Sequence, residues 1–147
     1  MSGPFPPVVE LVPHDPPMLL IDELLEADSE HAVSRVSITV RSTFVENGKV
    51  PALVTIEYMA QTIAAFAGAQ NKAKGEPIQL GFLMGCRTMK LAVDALAVGD
   101  ELRVEVKQVW ASDKLGQFEC AVTRGGEPIA QATLSVYQGR LEEAGNS

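Results

Sequence analysis

The run Val50-Pro51-Ala52-Leu53-Val54-Thr55-Ile56-Glu57-Tyr58-Met59-Ala60-Gln61-Thr62-Ile63-Ala64-Ala65-Phe66-Ala67-Gly68-Ala69-Gln70-Asn71 contains a single charged residue, Glu57. Ile56, Met59, Ala60, Ile63, Ala64, Phe66 and Ala67 recur at helical spacing, and the Ala, Met and Gln around them favour helix. Gly75 and Pro77 stop the pattern, so the run predicts one long helix from about Leu53 to Lys72. Alanines at 60, 64, 65, 67 and 69, with Gly68, make that helix thin. A strongly curved sheet can wrap a thin helix, because small side chains permit close approach.

Strands flank the helix on both sides. Met18 to Glu26 reads as a well-buried strand, and Asp28-Ser29-Glu30 as a turn. Ala32, Ser34, Val36, Ile38 and Val40 then alternate with Val33, Arg35, Ser37 and Thr39, the period of a half-buried strand. Ser42 to Val50 is a loop carrying Asn47-Gly48. Beyond the helix, Gln79 to Leu91 is one long strand. Leu102, Val104 and Val106 alternate with charged residues, as do Phe118, Cys120 and Val122 with polar ones. Ala130, Ala132, Leu134 and Val136 complete the set, and Arg124-Gly125-Gly126-Glu127 reads as a hairpin turn. Three consecutive strands with one polar face make an antiparallel meander. One short helix near Val8–Val12, two strands, one long helix and four strands give an α+β class with a single domain over 8–138. Residues 1–7, rich in proline, and 139–147 read as flexible ends.

Composition excludes several functions. The chain has 147 residues, enough for one core, and 46% of them are apolar. A net charge of -7 argues against nucleic acid, which needs a basic face, and against an anionic membrane surface. The uncharged run carries Pro51, Thr55, Glu57, Gln61 and Thr62 among small alanines, so it is not read as a membrane span. Cys86 and Cys120 have no CxxC partner and read as reduced core residues of a cytoplasmic protein, with no metal site. No signal peptide, phosphate-cradling glycine loop or Gly-x-Ser-x-Gly elbow is present in the sequence.

Glu57 is therefore the residue to explain. An unpaired carboxylate inside an apolar helix costs several kcal/mol, whereas a helix N-terminus returns only about 0.3–1 kcal/mol. Burial thus requires a partner or a wet cleft; the alternative is a helix-start glutamate facing solvent. Gln61, one turn on, can hold the carboxylate by a hydrogen bond. Two histidines are available. His31, beside a charged turn, reads as a surface residue, and His14, in a proline-rigid corner, reads either as structural or as a functional imidazole.

Two stretches resemble the β-hydroxyacyl-acyl-carrier-protein dehydratases of the hot-dog superfamily. Pro13-His14-Asp15-Pro16-Pro17-Met18-Leu19-Leu20-Ile21-Asp22-Glu23 is similar to that family's N-terminal Pro-His-Arg-x-Pro-Phe-Leu-Leu-Val-Asp-Arg motif. Val50 to Gln61 resembles its Met-Pro-Gly-Val-Leu-Ile-Ile-Glu-Ala-Met-Ala-Gln helix start, and Val98-Gly99-Asp100 its Pro-Gly-Asp turn. The Pro-His-Asp-x-Pro-Met and Ile-Glu-Tyr-Met-Ala-Gln variants resemble the accessory dehydratases of bacterial aryl-polyene pigment clusters.

The resemblance implies a hot-dog fold whose active sites are shared across a dimer. It implies a substrate carried as a thioester on the phosphopantetheine of an acyl carrier protein, with no other cofactor. The dimer is a homodimer, or a heterodimer with a related hot-dog or ketosynthase subunit. A histidine takes the α-proton and a helix carboxylic acid protonates the departing β-hydroxyl, giving a trans-2-enoyl thioester. Glu57 falls at the acid's position. Ala52 stands for the glycine at the helix start, whose neighbourhood offers N–H groups to the thioester carbonyl. Ala52, Gln61, Thr43 and Phe44 are the substrate-binding set on this reading. The family's catalytic His-Phe-Pro is replaced by Thr43-Phe44-Val45, and threonine is no base at neutral pH. His14 is then the candidate base. Two rival readings avoid the histidine: a hot-dog thioesterase whose carboxylate activates water, and a non-catalytic acyl-binding or partner subunit.

Overall fold

Leu102, Val104 and Val106, Phe118, Cys120 and Val122, and Ala130, Ala132, Leu134 and Val136 are all buried, as their alternation requires. In the computed structural model, which describes residues 5–11, 18–75, 80–112 and 114–139, they form one face of a six-stranded antiparallel sheet. The strands are β1 (Glu23–Ala27), β2 (His31–Ser37), β4 (Leu80–Leu91), β6 (Glu101–Ser112), β7 (Leu115–Arg124) and β8 (Glu127–Gly139), in the order β1-β2-β6-β7-β8-β4. The helix α1 (Thr55–Ala73) lies against that face. A two-stranded ribbon of β3 (Lys49–Pro51) and β5 (Ala95–Ala97) leads into it. This is the hot-dog arrangement expected.

Tight turns place these strands. Gly125 and Gly126 adopt φ of 60° and 86°, and Arg124 pairs with Glu127, so the β7–β8 turn has the positive-φ geometry that matches strand twist. Asn47 and Gly48 do the same at 53° and 75°, with Glu46 and Lys49 exchanging both backbone bonds. Val50 and Leu96 then meet across the β3–β5 ribbon with no exposure, anchoring the chain before α1.

The core is joined by shape and by one polar bridge. Phe66 of α1 meets Phe118 of β7 edge-on, with centroids 5.6 Å apart at 80°. Ser34 of β2 and Thr62 of α1 are buried and 2.5 Å apart through their hydroxyls. Thr62 donates its hydroxyl proton to the Tyr58 carbonyl at 2.8 Å, so Ser34 is the donor to Thr62. That order makes the pair asymmetric. Ser34→Ala removes only a donor and should cost about 1 kcal/mol, whereas Thr62→Val strands the buried Ser34 hydroxyl and should cost about 1–3 kcal/mol. Urea unfolding of the two variants checks the ranking, and equal losses would contradict the assigned donor.

Four expectations are corrected. The first strand begins at Glu23, not Met18, because Met18 and Leu20 spend backbone groups on the Gln61 side chain. β5 has no signature in the sequence, being Ala95-Leu96-Ala97 with no β-branched or aromatic residue. Cys86 is exposed on the edge strand β4, while Cys120 is buried and its thiol is pushed up to about 12 by desolvation. Finally, α1 is not enclosed all round. Ile56, Glu57, Ala60, Ala64 and Ala67 form a half-buried stripe, and Leu53 just before it is 60% exposed. The segment Ala52–Ala73 is long and apolar enough to cross a membrane, but it is the core helix on which this sheet closes.

Candidate active site

Glu57 sits in the first turn of α1 and is half-buried on the open stripe. Gln61, one turn later, is fully buried and makes three hydrogen bonds with its amide. Its Nε2 donates to Glu57 Oε1 at 3.1 Å and to the Met18 carbonyl at 2.7 Å, and its Oε1 accepts the Leu20 N–H at 2.7 Å. The two backbone bonds fix which amide atom is nitrogen. The bond to Glu57 can therefore only be donated by Gln61, so it positions the carboxyl without competing for its proton.

The segment before β1 is held to α1 at two places. Leu11, fully buried, lies against Gly68, and the Lys72 ammonium meets Glu10 at 2.8 Å. Met18 and Leu20 are held by Gln61. His14 lies between those two anchors and outside the described residues.

Thr43, Phe44 and Ala52 have separate fates. Phe44 has φ of 72° and is half exposed, a strained conformation for an aromatic residue. Thr43 helps line a depression of about 360 Å³ together with Leu19, Leu20, Asp22, Ser37, Arg41 and Tyr58. Ala52 is buried, and its N–H donates to the Asp94 carbonyl at 3.0 Å. That bond removes the Ala52 N–H from the role of thioester donor, correcting the expectation. Its acceptor lies just before β5, the element the sequence did not reveal.

Tyr58 and Asp22 were missed by sequence reasoning. Tyr58 is 2% exposed, and its phenol is pushed up to about 12, first by burial and then by the Asp22 carboxylate. It stays neutral and a donor across the working pH range. The signal available was modest: a phenol beside Glu57 in an otherwise apolar helix. His31 is far from this chemistry in function, since its imidazole meets Glu105 at 2.8 Å and Asp28 at 3.5 Å on the sheet's other face. No cluster of metal-ligating side chains exists among the described residues.

Comparison with known proteins identifies the family. The family model described as ApeP dehydratase matches residues 6–145. The 3-hydroxyacyl-[acyl-carrier-protein] dehydratase FabZ of Rhizobium etli (strain CIAT 652) is 26% identical over 143 residues, covering 93% of this chain and 90% of the relative. Among solved structures, the dehydratase heterocomplex ApeI:P from Xenorhabdus doucetiae superposes with a TM-score of 0.93 at 27% identity, covering 97% of each chain. A hypothetical thioesterase protein with coenzyme A from Streptococcus pneumoniae TIGR4 shares the fold at TM-score 0.62 and 13% identity, covering 80% of this chain and 85% of that one. With nearly the whole chain matched, this protein belongs to the ApeP-like dehydratase family.

Proposed function

We propose that the chain is a 3-hydroxyacyl-[acyl-carrier-protein] dehydratase of aryl-polyene-type biosynthesis, with Glu57 as its general acid and His14 as its base. The observation that carries this reading is the Gln61 amide, which holds Glu57 Oε1 in the first turn of α1 and takes the Met18 carbonyl with the same nitrogen. The base removes the proton from C2 of the β-hydroxyacyl thioester. The electron pair forms the C2–C3 double bond as the C3–O bond breaks. Glu57 protonates the leaving oxygen, so the products are the trans-2-enoyl thioester and water. Helix-start N–H groups beyond Ala52 polarise the thioester carbonyl.

The substrate arrives on an acyl carrier protein, and the chain works in an assembly with a second hot-dog subunit. Three observations support the assembly. The stripe of Leu53, Ile56, Ala60, Ala64 and Ala67 leaves apolar surface beside Glu57. β4 is an edge strand with Leu83, Met84 and Leu91 exposed. The related solved structure is itself a heterocomplex.

Mass spectrometry of a β-hydroxyacyl carrier protein incubated with the enzyme tests the reaction. Loss of water with the chain retained is expected; loss of the acyl chain would identify a thioesterase and overturn the reading. His14→Ala is expected to lower turnover by about 10²–10⁴-fold with the thermal midpoint little changed. An unchanged rate would make His14 structural and place the base on another residue.

A further inference from the structure

Several basic residues of this acidic chain are held in ion pairs. Arg35 meets Glu23 and Glu101, Lys72 meets Glu10, Arg103 meets Glu26 and Arg124 meets Asp100. Arg41 makes no ion pair among the described residues; only its backbone N–H is used, donating to Thr39 Oγ1. It is exposed at the rim of the depression of about 360 Å³ bounded by the segment before β1, the loop after β2 and the first turn of α1. Inside, the nearly fully buried Tyr58 has a neutral hydroxyl with no hydrogen bond among the described residues. The Asp22 carboxylate, steadied by the Ser37 N–H at 2.6 Å, faces the same space. The hydroxyls of Ser37, Thr39, Ser42 and Thr43 complete the lining.

A hydrocarbon chain cannot satisfy a cation, a carboxylate and a buried phenol. A ligand that alternates an anion with hydrogen-bonding groups can. The thioester arm of a carrier protein has this sequence: a phosphate, a hydroxyl, then two amides. We propose that Arg41 binds the phosphate of the substrate's carrier arm, and that this depression seats the arm's polar stretch with the Tyr58 hydroxyl donating to an amide carbonyl. The proposal rests on the dehydratase reading for the identity of the arm, and it assigns Arg41 as a substrate-selecting residue. Arg suits the position because its planar fork takes two phosphate oxygens at once.

Two thiol-labelled probes test it on the full-length chain: fluorescent 4'-phosphopantetheine and fluorescent pantetheine, which differ only in the phosphate. The wild-type chain is expected to bind the phosphorylated probe about ten- to a hundredfold tighter, the scale of a charge-assisted hydrogen-bonded pair. Arg41→Ala should erase the preference, and Arg41→Lys should restore part of it. Tyr58→Phe should weaken both probes alike. Equal binding of the two probes by the wild type, or binding of neither, overturns the proposal. Retention of the preference in Arg41→Ala overturns the assignment to Arg41. Because the probes carry no hydroxyacyl chain, a clear phosphate preference in a protein that dehydrates nothing would leave the arm site standing and remove only the dehydratase reading. Kinetics provide a second readout. Arg41→Ala should lower kcat/KM for a carrier-borne substrate by a larger factor than for a short N-acetylcysteamine thioester.

Discussion

Glu57→Gln is expected to fold as the parent does and to lose about 10²–10⁴-fold in dehydration rate. The substitution keeps the side-chain volume, and it keeps the contact that positions the group. Gln61 Nε2 donates to Glu57 Oε1, and an amide carbonyl at that place accepts the same bond. What disappears is the dissociable proton. The side chain is half-buried and the substitution keeps its shape, so the unfolding free energy should change by less than about 1 kcal/mol. The measurement pairs a single-turnover assay of water loss with urea unfolding of the same sample. A fully active Glu57→Gln protein would falsify the acid assignment. An inactive but unfolded one is distinguished by the urea curve. Glu57→Asp adds a graded test: it retains the proton but draws the carboxyl back from Gln61 by one methylene, so its rate should fall between the two.

The alternation in β2, β6, β7 and β8 was legible because one face of each strand meets the helix and the other meets solvent. The two positive-φ turns were legible for a similarly local reason, since glycine and asparagine announce that geometry. β5 was not, because it is stabilised by a register with Lys49–Pro51 and by no pattern of its own. The exposure of the Ile56–Ala67 stripe was hidden for a different reason. Periodicity reports that a helix is apolar on most sides, but not whether this sheet or another subunit covers each side. The Glu57–Gln61 pair could be read from spacing, because residues four apart share a helix face. The Arg41–Asp22–Tyr58 depression could not, since it joins three segments that only the fold brings together. The loss of Ala52 as a donor has the same origin: its partner, the Asp94 carbonyl, lies on the far side of α1 and β4 in the chain.

Gly68→Ala is expected to destabilise the fold by about 2–4 kcal/mol, against the sign that helix propensity predicts. In an isolated helix, alanine gains about 0.8–1 kcal/mol over glycine. Here a Cβ on residue 68 would stand 1.9 Å from the Leu11 carbonyl oxygen and 2.8 Å from its carbon, both backbone atoms. Carbon and oxygen rest no closer than about 3.3 Å, so the turn at Val8–Glu10 must move away from α1 by more than an ångström. Leu11 is fully buried and Val8 nearly so, and separating them from the helix returns much of about 1.5–3 kcal/mol per side chain. Backbone atoms cannot turn aside as a flexible side chain can, which is why overpacking outweighs propensity here. The exposed Lys72–Glu10 pair over the same contact adds less than about 1 kcal/mol, so Lys72→Ala serves as a near-silent control. Thermal and urea unfolding of both variants decide the matter, and a Gly68→Ala protein as stable as the parent would mean that the Leu11 segment does not pack on the helix as described. The same contact ties stability to chemistry. Leu11 and Met18 are the two anchors of the segment that carries His14, so Gly68→Ala should also slow dehydration at temperatures where it remains folded, while Glu57 keeps its bond to Gln61.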